Sequence, residues 1–375
     1  MLKPTYRIPS LPPSAELETR PVLRASALAH RHLAELKGRA ISVPNPTILI
    51  DTLTLQEAWA SCEIENIVTT QDNLYRADQF PDSLLDPALK EVARYRSAVK
   101  RGFDQLRRND RQLTNELLID LYRLVKSRSD GFRVKPGTYI GNSYTGEVVH
   151  VPPQDPVEVA KRMDELERFT NDDNLSSLDP LIKMAVIHHQ FESIHPFEDG
   201  NGRVGRIQCV LYLVRCGLLE TPILYLSRAI THSKGEYYRL LQAVRDRGAW
   251  EDWVIYVLKA VQATSRHTLM LVERIRALMA EYKRRMRGEL PRIYSHELLN
   301  NLFRHPYTRI DSVRRELRVS RPTAARYLTL LANEGLVRKR RAGRAVYYVN
   351  TPLVDLFQES ETDATGRRYS RDRGE

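Results

Sequence analysis

Twelve consecutive residues, His195-Pro196-Phe197-Glu198-Asp199-Gly200-Asn201-Gly202-Arg203-Val204-Gly205-Arg206, gather an imidazole, two carboxylates, three glycines and two arginines. An imidazole with an ordinary pKa of about 6.5 is suited to accept a proton from an incoming hydroxyl. The glycines fall where a loop opens into a helix. There the first N–H groups lack intrahelical partners, the dipole favours negative charge, and a backbone without side chains lets phosphate oxygens approach. Arg203 and Arg206 would add charge-assisted hydrogen bonds to those oxygens. A carboxylate beside an anion repels it unless a cation lies between them, so Asp199 reads as a magnesium ligand. Taken singly, a Gly-Asn-Gly is a turn and an arginine pair is a solvated face. Together the residues serve one reaction at a phosphate.

The chain must hold this loop between two helices. Apolar residues recur at helical spacing over Pro180–Ser193 before it, and the apolar run Ile207–Cys216 follows it, closed by Gly217. The first half is mainly helical, with helices expected at Pro21–Lys37 (apolar Leu23, Ala27, Leu28 and Leu33), Leu53–Asn66, 87–108, 114–127 and Val157–Phe169. Residues 1 to about 20 read as an extended arm. Between Gly131 and Pro153 the texture changes to Gly, Tyr, Val and Thr, and Tyr144, Thr145 and Gly146 predict the turn of a short hairpin. Two further helices are expected at 233–245 and 250–287.

The stretch resembles the signature of the Fic family, HxFx(D/E)GNGRxxR, at every specified position. The resemblance implies a mainly α fold: a Fic-type helical core with a β-hairpin flap that holds the target's backbone by strand addition. It implies a protein adenylyltransferase, in which His195 deprotonates a Ser, Thr or Tyr hydroxyl, of a target protein or of the chain itself, that attacks the α-phosphate of ATP and expels pyrophosphate. By the same matching, Asp199 would hold Mg2+ and Phe197 would anchor the loop in the core. Gly200, Asn201 and Gly202 would line the phosphate cradle, Arg203 and Arg206 would bind the outer phosphates, and Val204 and Gly205 complete the ATP-binding stretch. The region Tyr225–Leu258 is similar to the part that completes the family's nucleotide pocket, with Tyr237 or Tyr238 against adenine or else filling a helix interface.

Ser61, Glu65 and Asn66 match the family's inhibitory motif, (S/T)xxxE(G/N), ahead of the core. Ser61 and Glu65 are four apart and share a helix face. The resemblance implies that Glu65 pairs with Arg206 and takes the contact the γ-phosphate needs. In some relatives the same glutamate supports the reverse removal of AMP.

The net charge of +11 is local. Residues 281–350 hold 17 Lys or Arg against 6 Asp or Glu, the whole excess. After Pro291 the pattern reads helix (His296–Phe303), helix (Ile310–Leu317), helix (Arg321–Glu334) and hairpin (Val337–Val349, around Ala342-Gly343), the order of a winged helix-turn-helix. Val313, Leu317, Ala324, Leu328, Leu331 and Leu336 supply its core, and Ser320 caps the third helix. Exposed Arg321, Thr323 and Arg326 would reach base edges of DNA, with Arg338, Lys339, Arg340, Arg341 and Arg344 on phosphates. A protein target or a second subunit, in a homodimer, is the alternative partner.

The domain reading is therefore 1–110 helical extension with the inhibitory helix, 111–290 catalytic core, 291–357 winged helix-turn-helix and 358–375 disordered tail. Cys62, Cys209 and Cys216 form an odd set without metal-ligand spacing, read as buried reduced thiols, and no segment has the apolar length of a membrane span. A cytoplasmic enzyme is the expectation. The competing class is a transcriptional regulator in which the Fic domain senses nucleotide, and transfer of another nucleotide is the runner-up within the enzyme class.

Overall fold

The computed structural model describes residues 4–43, 45–77, 86–141, 146–342 and 345–365. Tyr144, Thr145, Gly343, Arg344 and residues 366–375 lie outside them. The chain begins with helices α1 (Arg20–Ala40), α2 (Pro46–Ile64), α3 (Gln71–Ala77), α4 (Pro87–Arg108) and α5 (Asn115–Lys126). A hairpin follows, β1 (Ile140–Gly141) and β2 (Val148–His150), and then α6 (Pro156–Asn171), α7 (Pro180–Ile194) and α8 (Asn201–Arg215). The second half runs α9 (Leu226–His232), α10 (Lys234–Arg247), α11 (Trp250–Glu289), α12 (His296–Arg304), β3 (Tyr307–Thr308), α13 (Ile310–Leu317) and α14 (Arg321–Asn333). It closes with β4 (Arg338–Ala342), β5 (Ala345–Val349) and α15 (Thr351–Thr365). The fold is mainly α. No helix of the described residues is long and apolar enough to cross a membrane.

Contacts divide the chain into two compact units: 1–37, 54–68 and 91–266, and 38–53, 69–90 and 267–375. The first is built around α7 and α8, which pack on one another and are buried on all sides. Helices without a solvent face belong in a core, and the charged groups these two carry there, Glu192, Arg203 and Arg206 among them, are buried with them. Asp179 starts α7, its Oδ1 accepting from Leu181 N at 2.8 Å, with Pro180 at the first position where no N–H is needed. α6 packs on α7 and α5 on α8. In the hairpin Ile140 pairs antiparallel with His150, and the register shifts before Gly141 meets Val148.

Two expectations for this unit are corrected. α1 forms and Leu33 is buried as expected, but the rest of the buried stripe is Val22, Ser26, Ala29 and Leu36, while Leu23 and Leu28 are 47% and 46% exposed and Ala27 is exposed. Ser26 and Ala29 in the middle of this stripe give hydrophobic periodicity little contrast to detect. The amino-terminal arm is extended as expected but carries core residues, Ile8 and Leu17, and Thr5 N donates to Val151 O at 3.1 Å.

The second unit holds α12, α13 and α14 with a three-stranded antiparallel sheet of order β3-β5-β4. Val313, Ala324, Leu328, Leu331 and Leu336 are buried as expected, whereas Leu317 is half-buried at the end of α13. Ser320 caps α14 by accepting from Thr323 N at 3.3 Å. Tyr75 of α3 stacks on Tyr307 and tilts against Phe357, so a segment from the first quarter of the sequence fills this core. α15 continues helical to Thr365, past the point where a disordered tail was expected to begin.

Candidate functional site

α7 ends on the catalytic candidate. His195 is its cap residue, left-handed at φ 50°, ψ 60°, with its N–H returning to Phe191 O. A non-glycine residue in that region is uncommon and is held here from outside. Arg133 does the holding: it is buried, its Nε donates to His195 O at 2.8 Å, its Nη2 donates to Ile194 O and Pro153 O, and its own N–H donates to Pro196 O at 2.8 Å. One residue, through its side chain and its main-chain N–H, thus ties the base of the flap to the backbone on both sides of the imidazole. Burial, and then the charges of Arg245 and Arg133, push the His195 ring down to about 3, and its Nδ1 has no hydrogen-bond partner. The ring is a neutral, half-buried base.

The loop that follows is fixed by Asn201. Its Oδ1 accepts from Phe197 N and its Nδ2 donates to Phe197 O, both at 2.9 Å. Phe197 is fully buried, stacked on Tyr122 with centroids 4.2 Å apart. Gly200 takes φ 77°, and no side chain caps α8, so its first N–H groups remain available to an anion. On one flank, the end of α5 pairs with the loop's acids: Lys126 Nζ lies 2.6 Å from Asp199 Oδ2 and Arg128 Nη1 2.7 Å from Glu198 Oε2.

Asp199 is 64% exposed at the edge of the loop. Burial raises its pKa, but the hydrogen bond and charge of Lys126 outweigh this and hold it ionised, below the usual range. Among the described residues no three acidic, His or Cys side chains cluster as a metal site. Magnesium requires no such cluster, because the ion takes one or two carboxylates and completes its shell with phosphate oxygens and water. Asp199 is the residue that would hold it there, and the bound ion would neutralise phosphate charge.

Both candidate phosphate-binding arginines are engaged by carboxylates. Arg203 is buried and pairs with Glu91 of α4. Arg206, also buried, donates from Nε to Ser61 Oγ at 2.8 Å and from Nη2 to Ser61 O at 3.0 Å and Glu65 Oε1 at 2.8 Å. Burial works against the guanidinium charge, and Glu65, together with Tyr237 and Tyr95, more than offsets it. The Glu65 carboxylate stands over the helix start, since a Cβ placed on Gly202 would lie 2.5 Å from its Oε1. Asn66, left-handed at φ 60°, accepts from Lys234 Nζ at 3.0 Å.

Val204 and Gly205 are buried, and Gly205 lets α8 approach Glu192 and Phe191 of α7, whose atoms a Cβ would meet at 2.9 and 3.0 Å. Tyr237 is buried with its hydroxyl bonded to His188 Nε2, whereas Tyr238 is 44% exposed. Of the two, only Tyr238 is exposed, and it packs edge-on against Tyr237. Sequence reasoning missed Arg133, Glu91 and Lys126. A lone arginine inside a Gly- and Tyr-rich hairpin was the one available signal for the first, and none marked the second.

In the second unit Arg321 is exposed but pairs with Asp311 at 3.2 Å, and Thr323 is bound up in the helix cap with Ser320. Arg326 is exposed and lies 5.8 Å from the centroid of the Tyr327 ring. Arg338, Lys339, Arg340 and Arg341 are all exposed along β4, the edge strand.

Comparison with known proteins agrees with this geometry. Residues 23–104 match the Fic/DOC family N-terminal region, residues 112–213 the Fic/DOC family itself, and residues 278–353 the C-terminal domain of SoFic-like protein adenylyltransferases. The protein adenylyltransferases Fic of Drosophila erecta and Drosophila persimilis are 29% and 31% identical over 154 residues, 41% of this chain and 29% and 28% of theirs. Protein adenylyltransferase fic-1 of Caenorhabditis elegans is 30% identical over 121 residues, 32% of this chain and 22% of its own. The chain thus spans less than a third of the length of these relatives. A Fic family protein from Desulfovibrio desulfuricans has the same fold over 93% of this chain and 98% of its own, with a TM-score of 0.55 at 20% identity. The Caenorhabditis elegans Fic-1 structure superposes over 67% of this chain and 74% of its own, with a TM-score of 0.52 at 20% identity. The loop geometry and the three consecutive family segments lead to one statement: the chain belongs to the Fic/DOC family.

Proposed function

We propose that the chain transfers AMP from ATP, with magnesium, to a side-chain hydroxyl of a protein, and that Glu65 restrains the transfer. One observation carries the reading: a neutral imidazole, clamped through its main chain by Arg133, stands one loop away from an uncapped helix start flanked by two buried arginines. His195 takes the hydroxyl proton, the freed oxygen bonds to the α-phosphorus, and the bond to the bridging oxygen breaks, releasing pyrophosphate. Backbone N–H groups at the start of α8 and the two guanidiniums bind the charge of the outer phosphates. The flap, tied to the loop by Arg133 and by His150, whose Nε2 meets Ser193 O at 2.9 Å, would present the target segment.

Transfer of AMP predicts which phosphorus is retained. Label carried on the α-phosphate of ATP becomes protein-bound, and label on the γ-phosphate leaves with pyrophosphate. Retention of the γ-label instead would make the chain a phosphotransferase and sink the proposal.

A second reading concerns the carboxyl-terminal unit as a winged helix-turn-helix module, favoured by the four consecutive basic residues exposed on an edge strand. Basic edge residues also block strand pairing. We assign them to phosphate contacts on double-stranded DNA because the whole net charge of the chain lies in this region. With about four phosphate contacts, log K should fall against log salt with a slope of about −3 to −4, and replacing Arg338, Lys339 and Arg340 by alanine should flatten it. A slope near zero would leave the module as a protein-docking surface.

A further inference from the structure

The inhibitory motif ends at Ser61 on its amino-terminal side, but the stripe it belongs to does not. Glu57 stands four residues before Ser61 on the same face of α2, and eight before Glu65, which lies just past the end of the helix. It is a buried carboxylate, and all its visible partners lie on other helices. Its Oε1 accepts from Tyr95 Oη of α4 at 3.0 Å and from Ser227 Oγ of α9, and its Oε2 accepts from Ser227 N at 2.9 Å. Tyr225, the cap residue of α9, offers that helix no side-chain hydrogen bond, so Glu57 satisfies from α2 an N–H that α9 itself leaves open. Tyr95 also interacts with Ser61, which accepts from Arg206. The result is a continuous chain of polar contacts, buried from Ser227 through Glu57, Tyr95 and Ser61 to Arg206, and ending on the partly exposed Glu65.

One further bond runs along the same seam: Lys234 Nζ at the start of α10 donates to Asn66 Oδ1 at 3.0 Å. A lone Glu65–Arg206 pair would fix one point of α2 and leave its rotation free. Seven residues of helix must be held in register for the Glu65 carboxylate to stand over Gly202.

We propose that Glu57 is the positioning residue of the brake: by binding Ser227 and Tyr95 it locks α2 to α9 and α4, so that Glu65 meets Arg206. This rests on the reading of Glu65 as an inhibitory residue. The latch is also where release would act, because α9 leads directly into α10, which bears Tyr238.

The test is a set of variants in the full chain, read as AMP incorporated from α-labelled ATP. Glu57→Met keeps the volume and removes both acceptors, leaving Ser227 N and Tyr95 Oη without them, and should raise incorporation about fivefold or more. Glu57→Gln keeps an oxygen for Ser227 N and an amide that can donate to the two hydroxyls, and should remain as quiet as wild type. In a Glu65→Gly background, Glu57→Met should add nothing, since there is no brake left to misplace. A merely structural residue would lower both backgrounds and would not be rescued by glutamine. Should Glu57→Met fail to fold, as judged by thermal melting, Tyr95→Phe and Ser227→Ala decide: activation by either supports the latch, and silence from both overturns it. If Glu65→Gly is active while a folded Glu57→Met stays quiet, the latch is wrong and the brake stands. If Glu65→Gly is itself no better than wild type, brake and latch fall together.

Discussion

His195→Ala is expected to lower AMP transfer by about 10²–10⁴-fold, the range that a positioned proton acceptor contributes. The assay is incorporation of α-labelled ATP, with pyrophosphate release falling in parallel. Nucleotide binding should persist, because the start of α8 and its arginines do not depend on the imidazole for their geometry: Asn201 and Phe197 fix the loop beside it. The pH dependence follows from the environment. Burial, with Arg245 and Arg133, pushes the ring down to about 3. A folded-state pKa below the ordinary value means that the neutral form is the one the fold keeps, and protonation sets in only as pH falls towards about 3. The kcat/KM profile, which reports groups of the free enzyme, should therefore show no acid limb at about 6.5 from this imidazole. Such a limb, lost on mutation of His195, would mean that the ring titrates as a solvent-exposed histidine and that the clamp by Arg133 does not shape the base.

The candidate loop stands out in the sequence because its imidazole, acid, glycines and arginines lie within twelve residues and each residue type has a physical reason to be there. The helices around it were legible from periodicity, and their ends from Asp179, Pro180 and the glycines. What escaped was whatever depends on distant segments. The buried side of α1 is lined by Ser26 and Ala29, residues that give hydrophobic periodicity little to detect, so Leu23 and Leu28 misled. Arg133 acts on the main chain of His195 across 62 residues, and Glu91 on Arg203 across 112. Neither separation leaves a pattern in one sequence. Glu57 differs, since its spacing of four from Ser61 was there to be read, but an acid in an apolar helix has no evident role until Tyr95 and Ser227 are seen to surround it.

Glu65→Gly should raise AMP incorporation by about 10- to 100-fold, the equivalent of roughly 1.5–3 kcal/mol for one charge-assisted hydrogen bond. The variant removes the carboxylate that stands over Gly202 and bonds Arg206 at 2.8 Å. It does not set Arg206 adrift. Ser61 still accepts from Nε and Nη2, so the guanidinium stays aimed along α8 with one donor direction newly open to a phosphate oxygen. The same change leaves a buried cation less compensated, and the variant should melt earlier than wild type in the absence of nucleotide. Magnesium and ATP should then raise its Tm by more than they raise that of wild type, because the ligand supplies the missing negative charge to the folded state alone. Activity and ligand-induced stabilisation must rise together. A variant that labels no better than wild type, or that gains activity without gaining stabilisation by ATP, would show that Glu65 does not occupy the position of the nucleotide's outer phosphate.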